Sequence, residues 1–357
     1  MRRSSLSLLP IAGLVAAGAL AACGSDPADD GEINIVAAFY PLAYAAEQVG
    51  GEDITVTNLT PAGQEPHDLE LSPSDLAAIE QADYVVYLAD FIPELDAAID
   101  QYAADKSLDV ATAVTTLGYD STEVFEDDHT DEHGEDEHGE DSHDHADDDH
   151  ADDEHAEEDH ADDTTEEDHA DEGGHTHDDS LEGTDPHIWL DPTRYAQIGD
   201  AIADALASID EANADDYTAA AEAFTAELTA LDTEFTEGLA SRTSSAVVTS
   251  HAAFGYLADR YDLTQVAISG LSPDQEPDTQ RMAEVAHYVE DNAVTTIFFE
   301  TLVSPDIAET LAAETGASTA VLNPLEGLTD ADIEAGADYF SVMRENLAAL
   351  QTALGAA

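Results

Sequence analysis

Ile33-Asn34-Ile35-Val36-Ala37-Ala38-Phe39 is a β-rich apolar run, and Tyr40-Pro41 leads from it into an alanine-rich helix that lasts to Val49. Gly50-Gly51 ends that helix, and Ile54 to Leu59 alternates as a second strand. Ser72-Pro73-Ser74-Asp75 places cap residues ahead of Leu76 and Ile79 and opens a helix through Gln81. Tyr84-Val85-Val86-Tyr87-Leu88 is a short strand of the buried type. Strands separated by single helices indicate a parallel sheet with helices outside.

The same grammar returns after residue 240. Ala246 to Thr249, Thr264 to Ile268, Thr295 to Phe299 and Thr319 to Leu322 read as strands. Ser304-Pro305-Asp306 starts a helix, with proline at its first position, that ends at Gly316. Between the halves, Tyr217, Ala221, Phe224, Leu228, Leu231, Phe235 and Leu239 fall at steps of 3 or 4, one continuous helical stripe. The expected class is α/β: a domain over residues 33–210, a linking helix over 211–240, and a second domain over 241–357. Periodicity alone leaves open whether that helix joins the domains or is one domain's own outer helix.

Charge narrows the function. Asp and Glu outnumber Lys and Arg by 82 to 8 over 357 residues, for a formal charge of −74. Such a surface repels phosphate, which excludes nucleic acid as a partner. It also excludes a basic membrane-surface patch. Apolar residues at 43% still allow a core. The acidity reads either as drift in an alanine-rich sequence or as adaptation to high salt, where mobile cations screen self-repulsion. The single cysteine, Cys23, rules out an intrachain disulfide and a cysteine-based zinc site. A metal would therefore be held by histidine and carboxylate.

Residues 1–22 have the plan of a secretory signal: Met1-Arg2-Arg3, an apolar stretch, and small residues before a cut. Leu20-Ala21-Ala22-Cys23 resembles a bacterial lipobox, which implies cleavage before Cys23 and lipidation of its thiol. A plain transmembrane anchor is the alternative. Residues 23–32 read as a polar tether, so the mature protein is expected on the outer face of the cell membrane, held by lipid.

Residues 126–179 differ in kind. They carry 29 acids, no Lys or Arg, and the eleven histidines His129, His133, His138, His143, His145, His150, His155, His160, His169, His175 and His177. No apolar face exists to offset ordering entropy, so a disordered insertion is expected. It reads as a solvated acidic linker, as a sensor that orders on loading, or, the reading favoured, as an auxiliary zinc-holding loop.

Outside it stand His67, His187, His251 and His287. Ligands of open α/β sheets bind at the carboxyl ends of strands. His67, His251 and Glu300 all fall there or just beyond. Three neutral imidazoles and one carboxylate suit tetrahedral zinc. Each residue also has a plain reading: a histidine after a strand is commonly a turn or capping residue, and Glu300 could be a charge ahead of the helix at Ser304. His287 falls off the apolar stripe around Met282, Val285 and Val289 and is expected at the surface.

Phe39-Tyr40-Pro41-Leu42, Gly50-Gly51, Glu65-Pro66-His67-Asp68-Leu69-Glu70-Leu71-Ser72-Pro73-Ser74-Asp75, Asp185-Pro186-His187-Ile188-Trp189-Leu190-Asp191-Pro192, Ser250-His251-Ala252-Ala253-Phe254-Gly255-Tyr256-Leu257, Phe299-Glu300 and Asn323-Pro324-Leu325-Glu326-Gly327 form an ordered set. Together they resemble the zinc/manganese substrate-binding lipoproteins of bacterial ABC transporters, the zinc members in particular. The resemblance runs from about Ile33 to the C-terminus. It implies two α/β domains joined by a long rigid helix, with metal in the interdomain cleft. It implies His67, His187, His251 and Glu300 as ligands of Zn2+, bound as cargo. It implies an ABC permease and its ATPase subunit as partners, and a monomeric receptor. Manganese members usually have a carboxylate where His251 stands, so the third histidine favours zinc. A His-rich acidic loop before the second ligand is typical of zinc members. Some of those carry a disulfide in the second domain, absent here.

The expected function is an extracytoplasmic zinc receptor, not an enzyme. A manganese receptor and a surface metal buffer or adhesin are the alternatives. A zinc hydrolase is disfavoured, since a fourth protein ligand closes the position water would need, and no His-Glu-x-x-His pair or nucleophile elbow appears.

Overall fold

The computed structural model describes residues 33–120 and 182–356. The expected signal segment, Cys23, the tether and the insertion 126–179 lie outside the described residues.

The chain starts as the repeating pattern requires: β1 (Ile33–Ala37), α1 (Tyr40–Gly50), β2 (Ile54–Asn58), α2 (Pro73–Gln81), β3 (Tyr84–Tyr87), α3 (Pro93–Tyr102) and β4 (Ser107–Asp109). Local signals set these bounds. Gly51 caps α1 at φ 59°, in the left-handed region that favours glycine. Ser72 and Asp75 form a reciprocal capping box on α2, with Pro73 in the first turn. An antiparallel pair, β5 (Gly118–Asp120) and β6 (Glu182–Thr184), flanks residues 121–181. Two long helices follow, α4 (Pro192–Ile209) and α5 (Ala214–Leu239). The second half contains β7 (Ala246–Thr249), α6 (Gly255–Tyr261), β8 (Thr264–Ala267), α7 (Thr279–Asp291), β9 (Thr296–Phe299), α8 (Asp306–Thr315), β10 (Ser318–Val321), α9 (Asp330–Ala335) and α10 (Tyr339–Leu354).

Two parallel sheets result, ordered β2-β1-β3-β4 and β10-β9-β7-β8. With β7 to β10 in the parts of β1 to β4, the two orders are the same. Each sheet has its topological switch between its first and third strands, where the connections run to opposite sides and leave a crevice at the carboxyl ends.

Helix α5 accounts for how the halves are held. Its buried residues are Tyr217, Ala221, Phe224, Leu228, Leu231, Phe235 and Leu239, the stripe read from the sequence. Phe224 meets Tyr44 of α1 and Tyr195 of α4 edge-on, and Phe340 of α10 likewise. Further along, Phe235 stacks on Tyr261 of α6. Gly199 of α4 lets the helices approach, since a Cβ there would lie 2.9 Å from the Phe224 ring. At about 1.5 Å per residue, 26 residues span about 39 Å. One continuous apolar core runs from Ile35 through α5 to Leu354. A smaller core, including Val248, Ile297 and Leu311, lies within the second sheet and its helices. A helix welded to both halves resists hinge motion, because bending it would open packed apolar surface. Among the described residues, no helix is long and apolar enough to cross a membrane.

Some bounds differ from the sequence reading. Helix α8 begins at Asp306, with Pro305 as its cap and Ser304 Oγ accepting from the Asp306 N–H at 3.3 Å. Strand β9 begins one residue later, β10 is displaced by one residue, and β4, β5 and β6 lack any strong periodic signal.

Candidate metal centre

His67 lies in a 3-10 turn after β2, preceded by Glu65, whose Oε1 accepts from the His67 N–H at 3.4 Å. His187 follows β6. The buried Trp189 two residues on donates from its indole to Pro324 O at 2.7 Å, and its own carbonyl accepts from the Tyr339 hydroxyl at 2.7 Å. His251 follows β7, with its carbonyl held by Thr249 Oγ1 at 2.7 Å. These anchors bring three imidazoles from separate segments to one point.

The fourth group is Glu326. The structure brings His67, His187, His251 and Glu326 together with one donor atom each, all within 4.8 Å of one another. Glu326 Oε1 lies 3.2 Å from His67 Nε2, 2.9 Å from His187 Nε2 and 3.4 Å from His251 Nε2. His187 Nε2 and His251 Nε2 are 3.3 Å apart. A tetrahedral zinc with bonds of about 2.0–2.1 Å separates its donors by about 3.3 Å. The four distances above lie close to that separation, and with every donor within 4.8 Å the cluster has the size of a zinc site.

The sequence reading gives the fourth place to Glu300, and the structure puts Glu300 elsewhere. Glu300 Oε1 accepts from His251 Nδ1 at 2.7 Å, from Ser250 Oγ at 2.5 Å and from the His251 N–H at 3.3 Å. The physical reason is adjacency. Glu300 follows β9, next to β7 in the sheet, so it reaches the near side of the His251 ring, whereas Nε2 points away to the centre. Glu326 comes from the loop after β10. Leu325 turns that loop at φ 59°, and Asn323 accepts from the Leu325 N–H at 2.8 Å. Asn346 of α10 then clamps Asn323 through both its N–H and its carbonyl. The carboxyl-end rule that selects Glu300 applies equally to the strand before Glu326, within the quoted Asn323-to-Gly327 stretch. His287 is exposed on α7 and takes no part.

His187 has a matching outer partner. Asp185 Oδ1 lies 2.8 Å from its Nδ1 and 2.9 Å from its backbone N. A carboxylate at Nδ1 fixes the tautomer that leaves Nε2 free for a metal and raises the ring's basicity. His67 has instead the edge of Phe91, with ring centroids 4.5 Å apart.

His187, His251 and Glu326 are fully buried, while the His67 side chain is 10% exposed beside a cavity of about 560 Å³ lined also by Phe91, Asp90 and Gln275. Burial sets the proton affinities. For His251, burial opposes the charge, but Glu300 and Glu326 outweigh it, and the pKa lies well above the ordinary value. His187 is raised likewise, Asp185 and Glu326 overcoming burial. Burial lowers His67. Glu326 is held well below the carboxylate range, because His251 and the hydrogen bonds from the imidazoles overcome burial. Burial and the nearby Glu326 push Glu65 up to about 9. The Oε2 atom of Glu300 is buried with no hydrogen-bond partner among the described residues, whereas Glu326 also meets the Glu65 carboxyl group. The imidazoles face Glu326 Oε1, and a carboxylate oxygen set among three imidazole nitrogens is suited to a cation.

Residues 35–353 match the family described as zinc-uptake complex component A, periplasmic. The chain belongs to that family. It is 36% identical over 355 residues to the zinc-binding lipoprotein AdcA of Streptococcus pneumoniae, a match covering 98% of this chain and 61% of AdcA. It thus spans about three fifths of the length of the curated relatives it matches first. It is 31% identical over 334 residues to the high-affinity zinc uptake system protein ZnuA of Bacillus subtilis, covering 93% of this chain and 90% of that protein. The Zn(II)-bound ZnuA-like domain of S. pneumoniae AdcA superposes with a TM-score of 0.65 at 32% identity, covering 91% of this chain and 99% of that domain.

Proposed function

We propose that this protein is an extracytoplasmic receptor that captures Zn2+ at His67, His187, His251 and Glu326 and delivers it to an ABC permease driven by an ATPase subunit. The observation that carries this reading is the convergence of three imidazole nitrogens and one buried carboxylate oxygen within 4.8 Å of one another. The donor set favours zinc over manganese, since imidazole suits zinc and manganese prefers carboxylate, carbonyl and water oxygen. The relatives named for zinc binding and zinc uptake support the same cargo. Cys23 serves as the lipid attachment that keeps the receptor at the membrane. Capture and release need no bond-making step, so the function is binding, not catalysis.

The test is metal analysis of the purified protein with chelator competition. The expected result is one tight zinc per chain that survives deletion of residues 126–179 and is lost in His187→Ala. A tight site that disappears with the deletion would refute the assignment and make the chain a loop-based metal buffer.

A further inference from the structure

The loop that delivers His251 continues directly into Gly255 and Tyr256 at the start of α6. Neither residue reaches the donor cluster, yet both touch the group behind His187. The Tyr256 side chain is fully buried, and its hydroxyl donates to Asp185 O at 2.8 Å. The same hydroxyl accepts from the Leu117 N–H at 3.0 Å. Leu117 O in turn accepts from the Asp185 N–H at 2.9 Å. Asp185 is therefore pinned at both its N–H and its carbonyl by a closed set of three bonds. Gly255 controls its side chain. A Cβ on residue 255 would stand 2.2 Å from Asp185 Oδ2, so only glycine leaves room for the carboxyl group where it is. Arg194 fixes the phenol from its other face, with its guanidinium carbon 5.0 Å from the ring centroid while its Nε donates to Thr115 O.

We propose that Gly255 and Tyr256 are positioning residues for the zinc site, holding Asp185 and through it the His187 ring, so that one loop places two ligands: His251 directly and His187 at one remove. This rests on the zinc-binding reading given above. With Asp185 fixed, Nδ1 of His187 has a single direction and Nε2 is aimed at the centre. Without the clamp, Asp185 can rotate away, and the ring can take rotamers that point Nε2 elsewhere. Ligand orientation is then lost while every ligand remains in the chain.

The experiment compares wild type, Tyr256→Phe, Gly255→Ala, Asp185→Asn and the Asp185→Asn/Tyr256→Phe double variant. Three quantities are read: the zinc dissociation constant by chelator competition, the visible absorption of the Co2+-loaded protein, and the melting temperature of the metal-free protein. Removing an outer partner of a metal-bound histidine typically costs about 10–100-fold in affinity. Tyr256→Phe and Gly255→Ala should each weaken zinc by about 10-fold and shift the Co2+ bands, which a merely structural role would leave in place. In the Asp185→Asn background, Tyr256→Phe should add less than about twofold, because its effect passes through Asp185. Gly255→Ala keeps the hydroxyl, so it decides the matter if Tyr256→Phe does not fold. Unchanged affinity and Co2+ bands in both single variants, or full additivity in the double variant, would overturn the inference. A wild-type protein without a tight zinc site would instead refute the underlying function.

Discussion

Exchanging the two candidate carboxylates tests the centre most directly. Glu326→Gln is nearly isosteric and leaves an amide where a charged oxygen sits 2.9–3.4 Å from three imidazole nitrogens. Removing one partner from a buried charge pair costs about 3–5 kcal/mol. At about 1.4 kcal/mol per decade, zinc affinity should fall by about 10²–10⁴-fold. Glu300→Gln keeps all four donors and loses the acceptor at His251 Nδ1, so it should cost about 10–100-fold. The assay is competition with a calibrated zinc chelator at fixed pH and ionic strength, on protein stripped of metal. The melting temperature of the stripped variants separates loss of fold from loss of ligand. Glu326→Gln should be the weaker binder by at least about tenfold. The reverse order would return the fourth position to Glu300 and refute the geometry described here.

Zinc affinity should fall with pH, starting above the ordinary histidine value of about 6.5, because His251 and His187 are both raised. A raised pKa stabilises the metal-free fold below the unfolded value and loses that contribution as pH rises through the folded one, so zinc displaces protons; two such protons give up to about 100-fold per pH unit, read by chelator competition between pH 8 and pH 5.5. His187→Ala should weaken zinc more than His67→Ala, since His187 is fully buried and His67 is partly exposed; equal losses would count against that ranking. Phe224→Ala should destabilise the fold by about 3–5 kcal/mol in denaturant titration while leaving one zinc per chain, since Phe224 is buried between α1, α4 and α10 and far in sequence from every ligand. Melting temperature should rise from 0.1 M to 1 M KCl, as the Debye length falls from about 10 Å to about 3 Å; a flat response would mean that a net charge of −74 is already balanced within the fold.

The alternation of strand and helix was legible because the central strands β1, β3, β7 and β9 carry their buried residues as apolar runs between helices. The stripe from Tyr217 to Leu239 was equally legible, since a helix packed along one face must repeat every 3 or 4 residues. Its joining role was not, because periodicity records that a face is buried and not which partner buries it. His67 and His251 follow from the carboxyl-end rule, whereas His187, which follows the antiparallel β6, is singled out only by its motif and the family resemblance. The fourth donor is harder. Glu300 and Glu326 both follow strands of the second sheet, and the choice depends on which side of the His251 ring each one reaches. That depends on Asn346 holding Asn323 and on the positive φ of Leu325, contacts between residues 23 apart that no local pattern encodes. Asp185 and Tyr256 were hidden for a related reason: their roles are defined by hydrogen bonds between segments.

The composition of the centre also explains why it takes a cation. Asp185, Glu300 and Glu326 place three buried carboxyl groups against three imidazoles, and one of their oxygens, Glu300 Oε2, has no hydrogen-bond partner among the described residues. Burial and the adjacent Glu326 push Glu65 up to about 9, which opposes a further charge there. Buried acid on that scale is costly unless positive charge accompanies it. The carboxylates raise His251 and His187 against the effect of burial, so without metal a proton on either ring is favoured and supplies that charge. With metal, a dication supplies it and the protons leave. Ion and protons are thus alternative occupants of one balance. The four candidate donors follow β2, β6, β7 and β10, so an ion held by them would tie together both sheets. A ligand that binds only the folded form stabilises it by RT ln(1 + [L]/Kd), about 4 kcal/mol at a thousandfold excess over Kd. Zinc should therefore raise the melting temperature of the whole chain in a single step, and acid should remove that gain by protonating the same imidazoles that hold the ion.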